Sequence, residues 1–186
     1  MPALKILRLG DPHLHGFADR RLPARQGLPL VGWREWVGLP NLGIVRIAAK
    51  MDTGARTSAL HADSLKSVTR NGVAFIRFDV TGEDEKTPWH ELPLLGRRSV
   101  RSSNGESEMR YLVAMRLRIG GEEWVIDVTL TNRERMEMPM LIGREALAGR
   151  VLVDAAKSWL GGAPARPKPP AKPLRAKKRV AKERSA

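Results

Sequence analysis

The sequence predicts an all-β domain, mainly strands with one short helix, and three observations carry that prediction. Short β-compatible runs recur between turn signals at intervals of about eight to twelve residues. The segment 111–130 reads as a long antiparallel hairpin, and only Arg144-Glu145-Ala146-Leu147-Ala148 reads as a helix. Many short strands of this kind need a closed sheet or two facing sheets to bury their apolar sides, so the expected architecture is a β-barrel or a sandwich-like fold.

Taken in order, residues 1–29 form an irregular lead-in, because Gly10, Pro12, Gly16, Pro23, Gly27 and Pro29 interrupt any regular element. The dense apolar stretch Leu30 to Val37 opens the folded part, and Ile44 to Met51 is β-compatible. Val73 to Val80 follows the turn signal Asn71-Gly72, and Ser99 to Ser102 precedes a second one, Asn104-Gly105. In the hairpin, Met115, Leu117 and Ile119 alternate with Arg116 and Arg118, the period-2 signature of one buried and one wet face. Its return strand, Glu123 to Leu130, is reached through Gly120-Gly121. Gly149 closes the helix as a C′ residue, and Val151 to Asp154 resumes an extended pattern.

Composition narrows the function. A hydrophobic fraction of 42% over 186 residues is enough for one modest core, and the absence of cysteine removes disulfides, thiolate zinc sites and a cysteine nucleophile. The formal net charge of +13 is unevenly placed: residues 1–30 are net +3, 31–162 only +2, and 163–186 net +8. The folded unit, placed at 30–160, is therefore close to neutral, and a globally basic nucleic-acid-binding domain is not implied. From 161 to 186 the chain reads as a disordered Pro/Ala/Lys/Arg tail, too poor in apolar surface to offset its ordering entropy. Such a tail suits contact with ribosome or nucleic acid, and equally a solubilising role. Lys5 and Arg8 break the apolar start too early for a signal peptide, and no apolar run reaches bilayer length, so a cytoplasmic location without membrane contact is expected.

The chemistry-bearing motifs are few. Phosphate-binding glycine loops, a Gly-x-Ser-x-Gly elbow and a His-Glu-x-x-His helix are all absent, and His13, His15, His61 and His90 do not assemble a zinc set. Neither a cofactor nor a metal is expected. Two motifs stand out. Lys50-Met51-Asp52-Thr53-Gly54-Ala55 places a carboxylate at the end of an apolar strand, followed by a residue that lets the backbone turn tightly beneath it. Met140-Leu141-Ile142-Gly143-Arg144 is an apolar strand that runs straight into the helix. An isolated Asp-Thr-Gly is an ordinary turn; the second motif, later in a β-rich chain, gives it weight.

Together these two motifs resemble the retropepsin-like aspartic peptidases. With Val31 to Pro40, Arg98 to Gly105 and Leu130-Thr131-Asn132-Arg133 added, the chain resembles a bacterial family that carries the label ATP-dependent zinc protease and is associated with RimK-type ATP-grasp glutamate ligases. The resemblance spans roughly residues 30–160 and implies a retropepsin-like acid-protease β-barrel. The ATP and zinc of the label find no support in the residues, whereas Asp52-Thr53-Gly54 fits an aspartic peptidase.

The implied reaction is peptide-bond hydrolysis by two carboxylates that share a proton and grip a water. One Asp-Thr-Gly per chain then requires a homodimer in which the two copies of Asp52 meet. Thr53 is implied to support the carboxylate and Gly54 to admit the close backbone. Asp63, Asp79, Asp127 and Asp154 are alternatives within one chain, but they lack the Thr-Gly context. Residues 82–86 or 102–105 would supply a flap over the substrate. Arg56, Arg98, Arg101, Arg133 and Arg144 are candidate substrate-binding residues, because guanidinium groups suit carboxylates. With the ligase association, they suggest an acidic peptide or glutamate-extended tail as substrate. That these arginines instead pair with acidic residues of their own domain stays open. His61 and the tryptophans Trp33, Trp36 and Trp124 are read as structural or dimer contacts. The competing functions are a non-catalytic module that holds an acidic tail or the ligase, and a ribosome- or RNA-associated factor acting through the basic tail.

Overall fold

The computed structural model describes residues 27–80, 89–101 and 105–162. The strands are β1 (Leu30–Leu39), β2 (Ile44–Asp52), β3 (Ser58–His61), β4 (Asp63–Arg70), β5 (Val73–Asp79), β6 (His90–Pro93), β7 (Gly96–Arg101), β8 (Ser107–Ile119), β9 (Glu122–Thr131), β10 (Met140–Gly143) and β11 (Leu152–Ser158). A 3-10 turn covers Pro40–Leu42, and the single α-helix of the described residues, α1, covers Arg144–Leu147.

Eight strands form one sheet in the order β11-β1-β2-β10-β3-β9-β8-β7, and a further pairing of β1 with β8 at Gly38 and Arg118 brings the sheet back on itself. Its inner face carries Val37, Leu39, Ile47, Leu60, Met115, Leu117, Leu130, Met140 and Ile142, each fully or almost fully buried. The remaining strands, β4-β5-β6, form a three-stranded sheet whose Ile76 and Phe78 join the same core. The fold is the expected mainly-β barrel.

Two of the three predicted two-residue turns are present with the backbone they demand, and Asn104 of the third lies outside the described residues. Gly120 and Gly121 take φ of 56° and 87°, and Asn71 and Gly72 take 50° and 76°, so each hairpin turns through two left-handed residues as a type I′ turn does. In the first hairpin the register runs from Ile119 opposite Glu122 to Tyr111 opposite Leu130.

Three strands, β3, β4 and β6, were not anticipated, and β7, β8 and β11 extend past their predicted limits. The reason is clearest in β4. It is the edge of its sheet and nearly every residue is exposed, so no apolar alternation marks it. β3 and β6 are only four residues long, too short for a period to register.

One feature of topology positions the site. Strands β2 and β3 are consecutive in sequence but do not pair with each other. Instead β10 lies between them, parallel to β2 and antiparallel to β3, with Gly143 in register with Asp52. The two motifs, some ninety residues apart, thus become adjacent strand ends.

At the other side of the sheet, β11 pairs in parallel with β1, and residues 159–161 lock onto it. Trp159 stacks on Trp36 at 4.8 Å between ring centroids. The fully buried Glu35 carboxylate accepts hydrogen bonds from the amides of Gly32 (2.6 Å), Leu160 (2.8 Å) and Gly161 (3.2 Å). The lead-in up to residue 26 and the basic tail from residue 163 lie outside the described residues.

Candidate active site

Asp52 ends β2, and the chain then turns through Thr53 to Thr57 before β3 begins. The turn lets two amides reach back: Gly54 N and Ala55 N each donate to Asp52 Oδ1 at 3.1 Å. Oδ2 is left for a side chain. Lys50, two residues earlier and so on the same face of the strand, brings Nζ to 3.2 Å from it. Burial alone would raise the Asp52 carboxyl. The Lys50 ammonium and the amides of Ala55 and Gly54 outweigh that effect and hold the group below its ordinary value.

β10 and α1 seat this turn from below. A Cβ on Gly143 would lie 2.6 Å from the carbonyl carbon of Thr57 and 2.8 Å from the oxygen of Arg56, so only glycine allows the two backbones to approach this closely. The Gly143 amide donates to the buried Ser58 hydroxyl at 3.1 Å. The first amides of α1 are satisfied by the turn itself, Arg144 N donating to Ala55 O (2.8 Å) and Glu145 N to Arg56 O (3.1 Å). The Arg144 guanidinium adds a bond to Gly54 O at 2.9 Å.

The candidate arginines divide. Arg56 pairs with Glu145 at 2.7 Å. Arg98 donates to the Thr57 hydroxyl at 2.8 Å and approaches Glu145 at 3.4 Å and Asp127 at 3.9 Å. Arg56 holds the Glu145 carboxyl below its ordinary value; burial opposes it, and Arg98 adds to the lowering. Arg144, Arg56 and Arg98 thus gather at the turn and bind protein groups there. Arg101 lies at the end of β7 and donates to Gly105 O at 3.1 Å in its own hairpin. Arg133, just after β9, meets no carboxylate within contact distance among the described residues, and its side-chain hydrogen bond there is from Nε to Met138 O at 3.3 Å.

Thr53 and Gly54 are exposed, and the donors to Asp52 are backbone amides together with Lys50. No carboxylate is among these partners. Of the alternatives within the chain, Asp63 pairs with His61, Asp127 with Arg98, and Asp154 caps its own strand through Ala156 N. Asp79 lies opposite Asp63 in the other sheet. His61 is structural in geometry: its Nδ1 accepts the Arg133 amide at 2.8 Å, which leaves Nε2 to carry the proton toward Asp63 at 3.2 Å. Trp124 is buried, with its Nε1 donating to Ala146 O. Among the described residues no three His, Asp or Glu side chains converge on a point that would hold a metal ion. The first candidate flap tip, 82–86, and all of the second but Gly105 lie outside the described residues.

Sequence reasoning passed over Lys50, Ser58 and Glu145. The signal for Lys50 was present, since a residue two before Asp52 on a strand must share its face. Ser58 and Glu145 matter only because β10 and α1 come to rest on the turn, which no local pattern reveals.

A closed sheet in which an Asp-Thr-Gly turn is seated on an Ile-Gly-Arg strand end defines the retropepsin-like class of aspartic peptidases. Residues 30–163 match the RimB-like family, described as retropepsin-like aspartic endopeptidase RimB, and the chain belongs to that family. Among curated proteins, a probable alpha-L-glutamate ligase of Parasynechococcus marenigrum is 43% identical over 128 residues, 67% of this chain and 28% of that protein. A second probable alpha-L-glutamate ligase, from Shewanella pealeana, is 38% identical over 136 residues, 72% of this chain and 30% of that protein. The chain therefore spans less than a third of the length of these relatives. A crystal structure of Lpg0085, a protein of unknown function from Legionella pneumophila, superposes with a TM-score of 0.63 at 26% identity and covers 73% of this chain and 99% of that one.

Proposed function

We propose that the protein is an aspartic endopeptidase that hydrolyses peptide bonds in acidic, glutamate-extended protein tails, working as a homodimer in the cytoplasm alongside a glutamate ligase. The observation that carries this reading is the state of the Asp52 carboxylate. One oxygen is fixed by two amides, the other is turned outward beside Lys50, and the turn that bears it is exposed. A second copy related by a two-fold axis brings its own Asp52 to the first.

In the resulting pair one carboxylate takes a proton from the bound water while the water oxygen attacks the scissile carbonyl carbon. The other carboxylate, protonated, donates to the carbonyl oxygen. Collapse of the tetrahedral intermediate breaks the C–N bond, and the amine leaves with a proton from the pair. Lys50 supports this scheme by offsetting the repulsion of two like charges brought close together. The acidic substrate and the ligase partnership are supported by the arginines of the site and by the names of the curated relatives. For the basic tail, residues 163–186, we infer contact with an anionic partner; binding to ribosomes or RNA should then fall steeply with salt and vanish when the tail is deleted.

The direct test incubates the full chain with a glutamate-extended peptide and follows the products by mass spectrometry. Cleavage should persist in chelator and be lost in Asp52→Asn, while the variant still binds the peptide. Wild-type protein that binds the peptide and never cleaves it overturns the peptidase reading in favour of a binding module.

A further inference from the structure

Of the five candidate arginines, two meet carboxylates, Arg56 at Glu145 and Arg98 at Glu145 and Asp127, while Arg144 binds Gly54 O at the turn and Arg101 binds Gly105 O in its own hairpin. Three of these hold the turn, which is a positioning role. Arg133 too binds a single backbone carbonyl, but it is half-buried and its charge is felt by both Arg110 and Asp52. Its backbone is anchored by the amide that donates to His61 Nδ1, and His61 is itself held by its own amide to Pro139 O at 2.7 Å. Its Nε is taken by Met138 O, which leaves both terminal nitrogens of the fork without a protein partner among the described residues.

The charges around Arg133 point the same way. Burial, and next the like charge of Arg110, push its protonation downward, with the Asp52 carboxylate opposing them. Arg110 does not bring a spare anion with it. Its Nε is bound to Glu108 at 2.7 Å, and Glu108 also accepts the Thr131 hydroxyl at 3.1 Å. A half-buried guanidinium beside a second cation is costly unless an anion compensates it, and among the described residues only the Asp52 carboxylate does so, without a direct contact.

We propose that Arg133, backed by Arg110, is the specificity-determining cation of the cleft and receives a glutamate side chain of the substrate next to the scissile bond. The two free terminal nitrogens match the two oxygens of a carboxylate in a bidentate pair. This rests on the peptidase reading above and narrows it, since acidity is then read at one position and the other arginines serve the turn.

Binding to the full-length Asp52→Asn protein separates the two readings, because it needs no turnover. The probes are fluorescein-labelled tetraglutamate with a free or an amidated C-terminus, and tetraglutamine, in near-physiological salt. Adding Arg133→Gln should weaken tetraglutamate binding about tenfold or more, with Arg133→Lys between the two, as expected for loss of a bidentate charge-assisted pair. Arg110→Gln should weaken it by a smaller factor. Amidation should change little.

Unaltered tetraglutamate affinity in both Arg133 variants, with thermal melts like the parent's, overturns the proposal. So does binding that disappears on amidation, which would assign the site to a chain terminus. Arg133-dependent binding in a wild-type protein that never cleaves would sink only the peptidase reading. Equal cleavage of glutamate and glutamine peptides would sink only this one.

Discussion

Two carboxylates in this molecule are built from the same parts and put to different ends. Glu35 and Asp52 both sit on strands of the large sheet and both accept backbone amides. Glu35 is fully buried and uses both oxygens, Oε1 for Gly32 and Leu160 and Oε2 for Gly161. Asp52 commits only Oδ1 to amides and offers Oδ2 to the surface beside Lys50. A buried carboxylate with both oxygens held by amides is a fastener. One tied to the backbone through a single oxygen, its other oxygen meeting only the Lys50 side chain among the described residues, is fixed in position and has room for a substrate or a second carboxyl group, and that is the arrangement acid–base chemistry needs.

The sharpest way to break this comparison is to change each carboxylate to its amide. Asp52→Asn should lower the rate of peptide cleavage by about a thousandfold or more, the scale of a lost general base, while its melting temperature stays near the parent's. A variant that retains cleavage would remove Asp52 from the chemistry. Gly143→Ala tests the seat of the turn. The added Cβ would meet backbone atoms of Arg56 and Thr57, and overpacking of this kind costs about 1–3 kcal/mol in chemical denaturation.

Glu35→Gln should behave in the opposite way to the Asp52 change. Turning an amide NH2 toward the Gly161 donor leaves buried donors facing each other, at a cost of about 1–3 kcal/mol, with cleavage per folded molecule unchanged. Loss of cleavage without loss of stability would mean that the fastener and the site are coupled.

The smallest expected effect belongs to Lys50→Met. Lys50 favours the ionised form of Asp52, so its removal raises the carboxyl, and the pH–rate profile should move to higher pH with little change in its maximum. For stability the sign follows from the lowered folded-state value. Asp52 contributes above the carboxyl's unfolded value and loses that contribution as pH falls through the lower folded one, and Lys50→Met should shrink the dependence across that acid window. A profile that stays in place would show that Lys50 has no hold on the pair.

Much of this architecture was legible beforehand where the signal is local. The β8–β9 hairpin follows from alternating Met115, Leu117 and Ile119 and from two glycines that accept left-handed backbone. The candidate carboxylate was marked by Asp52-Thr53-Gly54 together with Ile142-Gly143-Arg144, two motifs that the sheet places in register as adjacent strand ends. β4 stayed hidden because an edge strand in water has no apolar face to announce it. The arginines were legible as a set but not as individuals. Arg56 and Arg133 look alike in sequence, and only the position of Glu145 separates them.

By itself, then, the sequence determined that the chain is β-rich, where the tight turns at Asn71-Gly72 and Gly120-Gly121 fall, which aspartate is set apart by its neighbours, and that most of the positive charge lies outside the near-neutral domain. Each of these depends on interactions within a few residues, or on composition alone. The tertiary structure decided that β10 comes between β2 and β3, that Gly143 lies opposite Asp52, and that Arg56 and Arg98 meet Glu145 while Arg133 meets no carboxylate among the described residues. Those outcomes depend on strand order and side-chain partners tens of residues apart, where the chain closes a common core and the local pattern no longer specifies the neighbour.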